Sequence, residues 1–578
     1  MELLDAAGKL QANAEQKVKV DGASADITLT TGLLKGLTPW NAENPYLYDV
    51  IITQLQDGKE EMVFATKYGL RTVQLVNSGD NHYFTINGKR IFFKGTNVHD
   101  AHPLYGRHMD NETMLKDLTL MKQANINMVR TSHYPRHAKM NAIMDAYGLY
   151  MMDEADLECH GNNGLTRDTT WTEAFVDRNV RMVLRDRNHP SVFLWSVGNE
   201  VDYPNDPYSH PVLDGSSISQ PMFGGYDPKR PNAERIGKIA KRLAACIRAV
   251  DSSRPVTGAL AGVVMSNETE YPEAVDGVGY NYTEDRYDTD HKKYPNRIIY
   301  GSETRSDFSA WKDVRDKEHI FGQFIWTGTD YLGESGAWPS RGLHTGLLNF
   351  ANYAKPRGKF REAHWSDKPM IYIGTYRRGR GRWGDNLSID AGDSWNYRKG
   401  ENVRIVCYTN TAQAQLKLNG EVIGEMRPYD DKHGMIHWDI PYAPGTLTAE
   451  GYDKEGNLQA TYTIQTSGRP YSLRATLIET QSQPREAIEN PTYQILVEVL
   501  DEEGVLVKLA DNMISCQVQG GQLLGLENSD NSDMSHPKAR QRRVFQGYLV
   551  AYVQGQGKEP VTVTFSTPLL EETTLTIQ

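Results

Sequence analysis

One stretch constrains this chain more than any other: Ser191 to Glu200, SVFLWSVGNE, which carries no charge until it closes on Asn199-Glu200. With Asn188-His189-Pro190 before it and Tyr203-Pro204 after it, this is the pattern of a strand buried on both faces. A carboxylate at the C-terminal end of a parallel strand opens into the mouth of an α/β barrel, where such folds place their chemistry. Burying an unpaired carboxylate is costly, so Glu200 either caps the next helix or has work to do. A second stretch of the same build, Ile298 to Glu303 (IIYGSE), favours work. Two carboxylates at the tips of two buried strands are the minimum equipment for glycoside hydrolysis, one as acid/base and one as nucleophile.

The surroundings of both stretches keep a regular rhythm. From Tyr83, FTINGKRIFFKG predicts a small hairpin with Asn87-Gly88 as its turn, leading into the strand IFFKGTNVHD. Strand and helix patterns then alternate. MLKDLTLMKQAN is helical, with Met114, Leu115, Leu118 and Met121 on one face, and HAKMNAIMDAYG is a helix stopped by Gly148. EAFVDRNVRMVLRDRN and NAERIGKIAKRLAACIRAVD are helices between the later strands. NMVRTSHYP, YMMDEADLE, SVFLWSVGNE, PVTGAL, VDGVGYNY, RIIYGSET and GQFIWTGTDYLG complete a set of eight strands. That is the count and spacing of a (β/α)8 TIM barrel. A doubly wound open sheet would want a glycine-rich phosphate turn after its first strand, and KGTNVHD is not one.

The flanks read differently. Residues 1–78 contain short alternating stretches, VKVDG, ADITLTTG, LYDVIITQLQDGKE and MVFATKYGLRTVQL, which predict an immunoglobulin-like β-sandwich. Such a fold needs about seven strands and fewer are legible, so its first edge is expected to be missing. Beyond about Asn386 strands return without helices. The expected organisation is therefore multidomain: a sandwich at 1–78, the catalytic barrel at 79–378, a β-sandwich at 379–468 with Asn419-Gly420 as a hairpin turn, and an immunoglobulin-like sandwich at 469–578, joined through SGRPYS.

Composition excludes several function classes. A net charge of −11 gives no reason to expect nucleic acid or an anionic membrane as partner. No stretch approaches the length of a membrane span, and MELLDAAGKL lacks the pattern of a signal peptide. The chain is expected to be soluble, with a periplasmic or secreted parent compatible. Cys159, Cys246, Cys407 and Cys516 lack disulfide or metal spacing.

The strand tips gather polar groups. His99, Asp100 and His102 follow the first strand; Arg130 and His133 follow the second. Asp153, Glu154, Asp156, Glu158 and His160 lie on the third, Asn199 and Glu200 on the fourth, and Tyr280 and Tyr282 on the sixth. Glu303 ends the seventh, and Trp326 and Asp330 follow the eighth. Any one of these has a structural explanation; as a set they describe a concave site with acid, nucleophile and sugar-binding groups.

NVHDAHPLYGRHMDNETMLKDLTLMKQANINMVRTSHYPRH, GLYMMDEADLECHG, LWSVGNE and YGSE resemble glycoside hydrolase family 2, and within it the β-galactosidases. PWNAENPYLYDVIITQLQDG followed by KYGLRTV resembles the immunoglobulin-like domain that precedes the barrel in that family. The resemblance implies a retaining exo-β-glycosidase acting on a glycoside or oligosaccharide, with Glu200 as acid/base and Glu303 as nucleophile. Asn199 is implied to meet the sugar 2-hydroxyl, and Tyr282, with Tyr280 as the other candidate, to hold the nucleophile. Asp100, His102, His133 and Trp326 are implied to bind the sugar. Glu158, His160 and Glu200 match positions that bind Mg2+ in some members; the chemistry itself needs no cofactor, and a metal-free site is an equal reading. The oligomeric state stays open, a homo-oligomer included.

Two departures bear on function. The jelly-roll domain that precedes the immunoglobulin-like domain in the family is absent from this sequence, so a catalytically weak carbohydrate-binding form is the rival reading. β-Glucuronidases carry an Asn-x-Lys signature where this chain reads RGLHTGLL, with no lysine, which argues for galactosides over glucuronides; β-mannosides are the other alternative. Lys355, further on, is expected in a solvated loop.

Overall fold

The computed structural model describes residues 1–78, 81–155, 157–158, 169–202, 208–214, 225–379, 386–478, 490–557 and 559–578. Eight strands close into a barrel in sequence order: Phe93–Asn97, Met128–Arg130, Tyr150–Glu154, Val192–Asn199, Val256–Leu260, Gly277–Asn281, Ile299–Thr304 and Ile320–Ile325. Neighbours run parallel, as in Met128↔Tyr150 and Thr257↔Gly277. Seven of the eight lie within the stretches expected from sequence, the eighth starts at Ile320, two residues before the expected Gly322, and the fourth is buried along its whole length.

The chain divides into two compact units, Met1–Gly95 with Asn127–Thr304 and Val314–Phe324, and Thr96–Ile126 with Arg305–Asp313 and Ile325–Gln578. In the first, side chains at the N-terminal ends of the strands, among them Phe93, Met128, Phe193 and Phe321, form one buried core. Phe84 joins them from the hairpin Asn81–Ile86/Lys89–Arg90, with its ring centroid 4.9 Å from that of Phe321. Asn87 (φ 49°) and Gly88 (φ 76°) make its turn, the left-handed pair that suits the twist of a two-residue hairpin loop. Burying each of these rings contributes about 1.5–3 kcal/mol, and together they fill the base of the barrel.

Helices Ala138–Tyr147, Thr169–Asp186 and Glu234–Val250 follow the second, third and fourth strands. The first of them stops at Gly148, whose φ of 75° closes the C-cap.

The N-terminal region forms a four-stranded sheet in the order Leu10–Asn13, Glu2–Leu4, Tyr48–Gln56, Lys59–Tyr68. Two expectations fail here. VKVDG and ADITLTTG are not strands: Val18, Val20 and Ile27 are exposed, so their alternation has no face to cover. MVFATKYGLRTVQL is two strands rather than one, because the chain breaks between Tyr68 and Val73. There Arg71 Nε donates to Pro190 O at 2.6 Å and Nη2 to Val192 O at 2.7 Å, pinning the break to the start of the fourth barrel strand.

In the second unit, helix Asn111–Gln123 buries the expected Met114, Leu115, Leu118 and Met121, and Asp110 caps it by accepting from Thr113 N at 2.8 Å. A first sandwich pairs the sheet Ile371–Arg377, Asn402–Thr409, Ile436–Pro441 with the sheet Glu421–Pro428, Gln413–Leu418, Thr446–Tyr452, Leu458–Gln465 around one core. Asn419 (φ 53°) and Gly420 (φ 87°) turn the expected hairpin. Ile371–Arg377, which a barrel ending at 378 would include, runs antiparallel to Asn402–Thr409 in this sandwich, with Ile371 and Ile373 in its core. A second sandwich of two four-stranded sheets follows, one led by Ser472–Ile478 and the other ending in Thr573–Ile577. Among the described residues no helix is long and apolar enough to cross a membrane.

Candidate active site

The site is built where strand alternation delivers polar side chains to the C-terminal tips. On the second strand Met128 belongs to the barrel core and Arg130, two residues on, is fully buried above it. On the third, Met152 is core and Glu154 follows with the same spacing, while Asp153 points the other way and bonds Asp186 of helix Thr169–Asp186.

Arg130 is the hub. Its Nε and Nη2 clamp Glu154 at 2.8 and 3.0 Å, its Nη1 donates to Glu303 Oε1 at 3.0 Å, and its Nη2 also reaches Asn199 Oδ1 at 2.8 Å. Burial alone would lower the guanidinium pKa, yet the two carboxylates hold it above its ordinary value. Glu154 is likewise pushed up by burial, but Arg130 and His133 outweigh that and hold it down, at about 2. His133 Nδ1 lies 2.8 Å from Glu154 Oε1, the tautomer with Nδ1–H donating, and its Nε2 sits 3.8 Å from Glu303 Oε1. Burial pushes this imidazole below its ordinary value, which keeps it neutral.

Glu200 and Glu303 stand at the tips of the fourth and seventh strands, both buried. The backbone that turns out Glu200 is unusual. Gly198 has φ 150°, and a Cβ there would lie 2.4 Å from Leu157 O, which also accepts from Asn199 N at 2.8 Å. Glu200 itself has φ 47°, a left-handed value that costs about 1–3 kcal/mol for a side-chain-bearing residue and clusters at functional sites. Its amide is held by Ala259 O at 2.9 Å. Asp202, just beyond, accepts from Ala261 N, Gly262 N and Ser266 Oγ and ties the segment to the end of the fifth strand.

Asn281 Nδ2 donates to Glu200 Oε1 at 2.9 Å. Tyr282, at φ 54°, bonds the Glu303 carboxyl through its side chain and Glu303 O through its amide at 2.8 Å. Burial first, and then the Glu200 charge, pushes the Glu303 carboxyl up, to about 8, while Arg130 and Tyr282 pull against that rise.

The structure therefore brings Glu200, Glu303, Asn199, His133, Tyr282 and Glu158 into one hydrogen-bonded network. Asn199 Nδ2 reaches Glu158 Oε1 at 3.1 Å, and Arg130 and Asn281 share its Oδ1. Tyr280 does not belong to it: its hydroxyl donates to Asp290 Oδ2 at 2.8 Å and meets Arg297 Nη1 at 3.2 Å. In the second unit, His102 is fully buried, with Nδ1 accepting from Leu104 N at 3.1 Å and Nε2 3.4 Å from Asp110 Oδ2. Trp326 is partly exposed and packs edge-on against His99 with centroids 5.3 Å apart, and Asp100 is half-buried. Lys355 is not in a solvated loop. It caps helix Pro356–Trp365, and its Nζ lies 2.9 and 3.2 Å from the two oxygens of buried Asp330.

Asp156 and His160 lie outside the described residues. Among the described residues no group of three or more His, Cys, Asp or Glu could hold a metal ion, and Glu158 and Glu200 each take an amide donor. His160, the third ligand of the expected set, lies outside the described residues, and no catalytic step is routed through magnesium.

Sequence reasoning missed Asn281. A signal was present: in Gly277-Val278-Gly279-Tyr280-Asn281 two glycines alternate with the outward Val278 and Tyr280, which marks Asn281 as facing inward.

Comparison with known proteins follows the same outline. The profile of the glycosyl hydrolases family 2 TIM barrel domain matches residues 79–271, and that of glycosyl hydrolases family 2 matches 1–71. Glycoside hydrolase family 2 C-terminal domain 5 matches 478–576, and a domain of unknown function, DUF4982, matches 400–460. β-Galactosidase BoGH2A of Bacteroides ovatus is 26% identical over an alignment of 622 positions, covering 96% of this chain and 69% of that protein. A β-galactosidase of Pseudoalteromonas haloplanktis is 36% identical over 227 positions, 39% of this chain and 21% of that protein. A solved family 2 structure from Bacteroides cellulosilyticus superposes with a TM-score of 0.83 at 27% identity, covering all of this chain and 73% of the other. A β-glucuronidase of the family, at 18% identity and a TM-score of 0.76, shares the fold, with 57% of that chain covered. With domain profiles of one family matching the start, the barrel and the end of the sequence, and two buried glutamates at the barrel's strand tips, this chain belongs to glycoside hydrolase family 2.

Proposed function

We propose that the protein is a retaining exo-β-galactosidase, with Glu303 as nucleophile and Glu200 as acid/base. The observation that carries this reading is the asymmetry of the two carboxyls. Glu303 takes a guanidinium hydrogen bond from Arg130 and a side-chain bond from Tyr282, both of which favour its ionised form, whereas Glu200 takes a neutral amide hydrogen from Asn281. With Glu200 in its acid form, the role proposed for it, its charge no longer pushes the Glu303 carboxyl up, and the Arg130 and Tyr282 bonds hold Glu303 ionised to attack. Glu303 attacks the anomeric carbon while Glu200 protonates the departing oxygen. Glu200 next takes a proton from water as that water displaces Glu303. Asn199, its Oδ1 fixed by Arg130 and Asn281, is the group we assign to the sugar 2-hydroxyl, a contact that strengthens in the transition state. Of the residues expected to bind sugar, His133 faces this network, and we assign it to the sugar.

The choice of galactoside draws on charge. The three cations that could stand in for the missing glucuronidase lysine each hold a carboxylate: Lys355 with Asp330, Arg341 with Glu527, Arg357 with Asp390. A sugar carboxylate stripped of water meets a severe cost without a cation of its own, while neutral hydroxyls do not. The similarity to two proteins named β-galactosidase points the same way. The test compares kcat/KM for nitrophenyl β-galactoside and nitrophenyl β-glucuronide on one preparation. The galactoside is expected to be favoured by about 10⁴ or more. Preference for the glucuronide, or turnover of neither, overturns the reading.

A further inference from the structure

We infer that Asn281 is the residue that aims the acid/base carboxyl, and that Ser302 sets the direction in which Asn281 points. The inference rests on the retaining reading above and adds a positioning residue to it. Asn281 is fully buried at the tip of the sixth strand, the element between the strand of Glu303 and the strands leading to Glu200. Its side-chain amide is committed at both ends. Ser302 Oγ donates to Asn281 Oδ1 at 2.6 Å, so the oxygen faces the seventh strand and the NH2 must face the fourth. That NH2 then serves Glu200 Oε1 at 2.9 Å and Asn199 Oδ1 at 3.1 Å. An amide turned the other way would set oxygen against the Glu200 carboxylate and against another amide oxygen.

The backbone accommodates this arrangement. A Cβ on Gly279 would lie 2.4 Å from Ser302 Oγ, so only glycine two residues before Asn281 leaves the Ser302 hydroxyl room to reach it. Ladder register contributes as well. A shift between Tyr280 and Asn281 sets Asn281 beside Glu303 rather than beside Ser302, and the hydroxyl reaches across from the preceding position. A hydrogen bond to one carboxyl oxygen, from a group that is itself held, restricts Glu200 to one rotamer. General-acid catalysis needs that, because the proton must travel along the line to the departing oxygen.

The experiment uses the full chain, its Asn281→Ala and Ser302→Ala variants, and Glu200→Ala as reference. Each is assayed with a dinitrophenyl glycoside, which leaves without a proton, and a phenyl glycoside, which needs one, on whichever sugar of a galactoside, glucuronide and mannoside panel the parent turns over. Asn281→Ala is expected to lower kcat/KM on the phenyl glycoside at least about tenfold more than on the dinitrophenyl one. Ser302→Ala should show a smaller split in the same direction. Equal loss on the two substrates, or no loss, overturns the inference while leaving the retaining reading intact. A parent without turnover on any sugar overturns both. If Asn281→Ala does not fold, Ser302→Ala, which removes one hydroxyl, decides by the same split.

Discussion

Arg130 Nη1 lies 3.0 Å from Glu303 Oε1 while the rest of the same guanidinium clamps Glu154 at 2.8 and 3.0 Å. One buried cation thus serves two carboxylates, and the neutral His133 bridges toward the same pair. The two-pronged contact with Glu154 fixes the guanidinium in place. Its remaining Nη1 faces the glutamate we assign as nucleophile, where it opposes the cost of burying that charge.

The two carboxyls are expected to fail in different ways. Glu303→Gln should reduce turnover to background with the fold intact. Glu200→Ala should cost roughly 10²–10⁴ on substrates with poor leaving groups and far less on activated ones. Rates on a series of aryl glycosides measure this, and equal losses across the series would remove Glu200 from its role.

Tyr282→Phe should move the acid limb of the kcat/KM profile to higher pH. The side-chain bond lowers the Glu303 carboxyl against burial and the Glu200 charge. Without it the carboxyl ionises at higher pH, and activity that needs the ionised form appears later in a titration. A hydrogen bond to a charged group predicts a shift of about one unit. No shift, or one to lower pH, would separate Tyr282 from the nucleophile.

Acid stability should depend on Glu154. Its pKa in the fold, about 2, lies below the ordinary 4.5, so its contribution is complete above about 4.5 and is lost as pH falls toward about 2. Glu154→Gln should flatten the dependence of unfolding midpoint on pH across that window. It should also lower the midpoint at neutral pH, because it leaves Arg130 short of a partner, a loss of roughly 3–5 kcal/mol. An unchanged acid slope would contradict the assignment.

Phe84→Ala should cost about 3–5 kcal/mol, since the ring touches Phe93, Phe193 and Phe321 with centroids 4.9 to 6.4 Å away. A scan of thermal unfolding should show the transition lowered, with kcat at room temperature close to that of the parent. A large loss of kcat would mean the base of the barrel communicates with its mouth.

What the sequence made legible follows from what each feature depends on. The eight strands were readable because burial on both faces leaves an apolar run, and the Asn87-Gly88 hairpin because its turn demands left-handed residues. Glu200 and Glu303 were readable as carboxylates where no carboxylate should be cheap. The partners of those carboxylates were harder. Choosing Tyr282 over Tyr280 requires the alternation of the sixth strand and the φ of 54° that turns Tyr282 back toward Glu303. Asn281 depends on a register shift between two strands, which no single run of residues encodes. Lys355 read as solvated because its partner, Asp330, is distant along the chain and close only in the fold. VKVDG and ADITLTTG show the opposite error, a local alternation with no sheet to receive it.

The ring of Phe84, packed on Phe93, Phe193 and Phe321, fills the N-terminal ends of the strands, away from the tips that carry Glu200 and Glu303. On the retaining reading, sugar, aglycone and water all meet at those tips, and water reaches the glycosyl–Glu303 bond only as the aglycone clears it. Whatever hydroxyl stands at the threshold at that instant receives the sugar. Hydrolysis and transfer to a second alcohol are then decided by which molecule is waiting there, and the ratio of the two products reads out traffic at that end of the barrel.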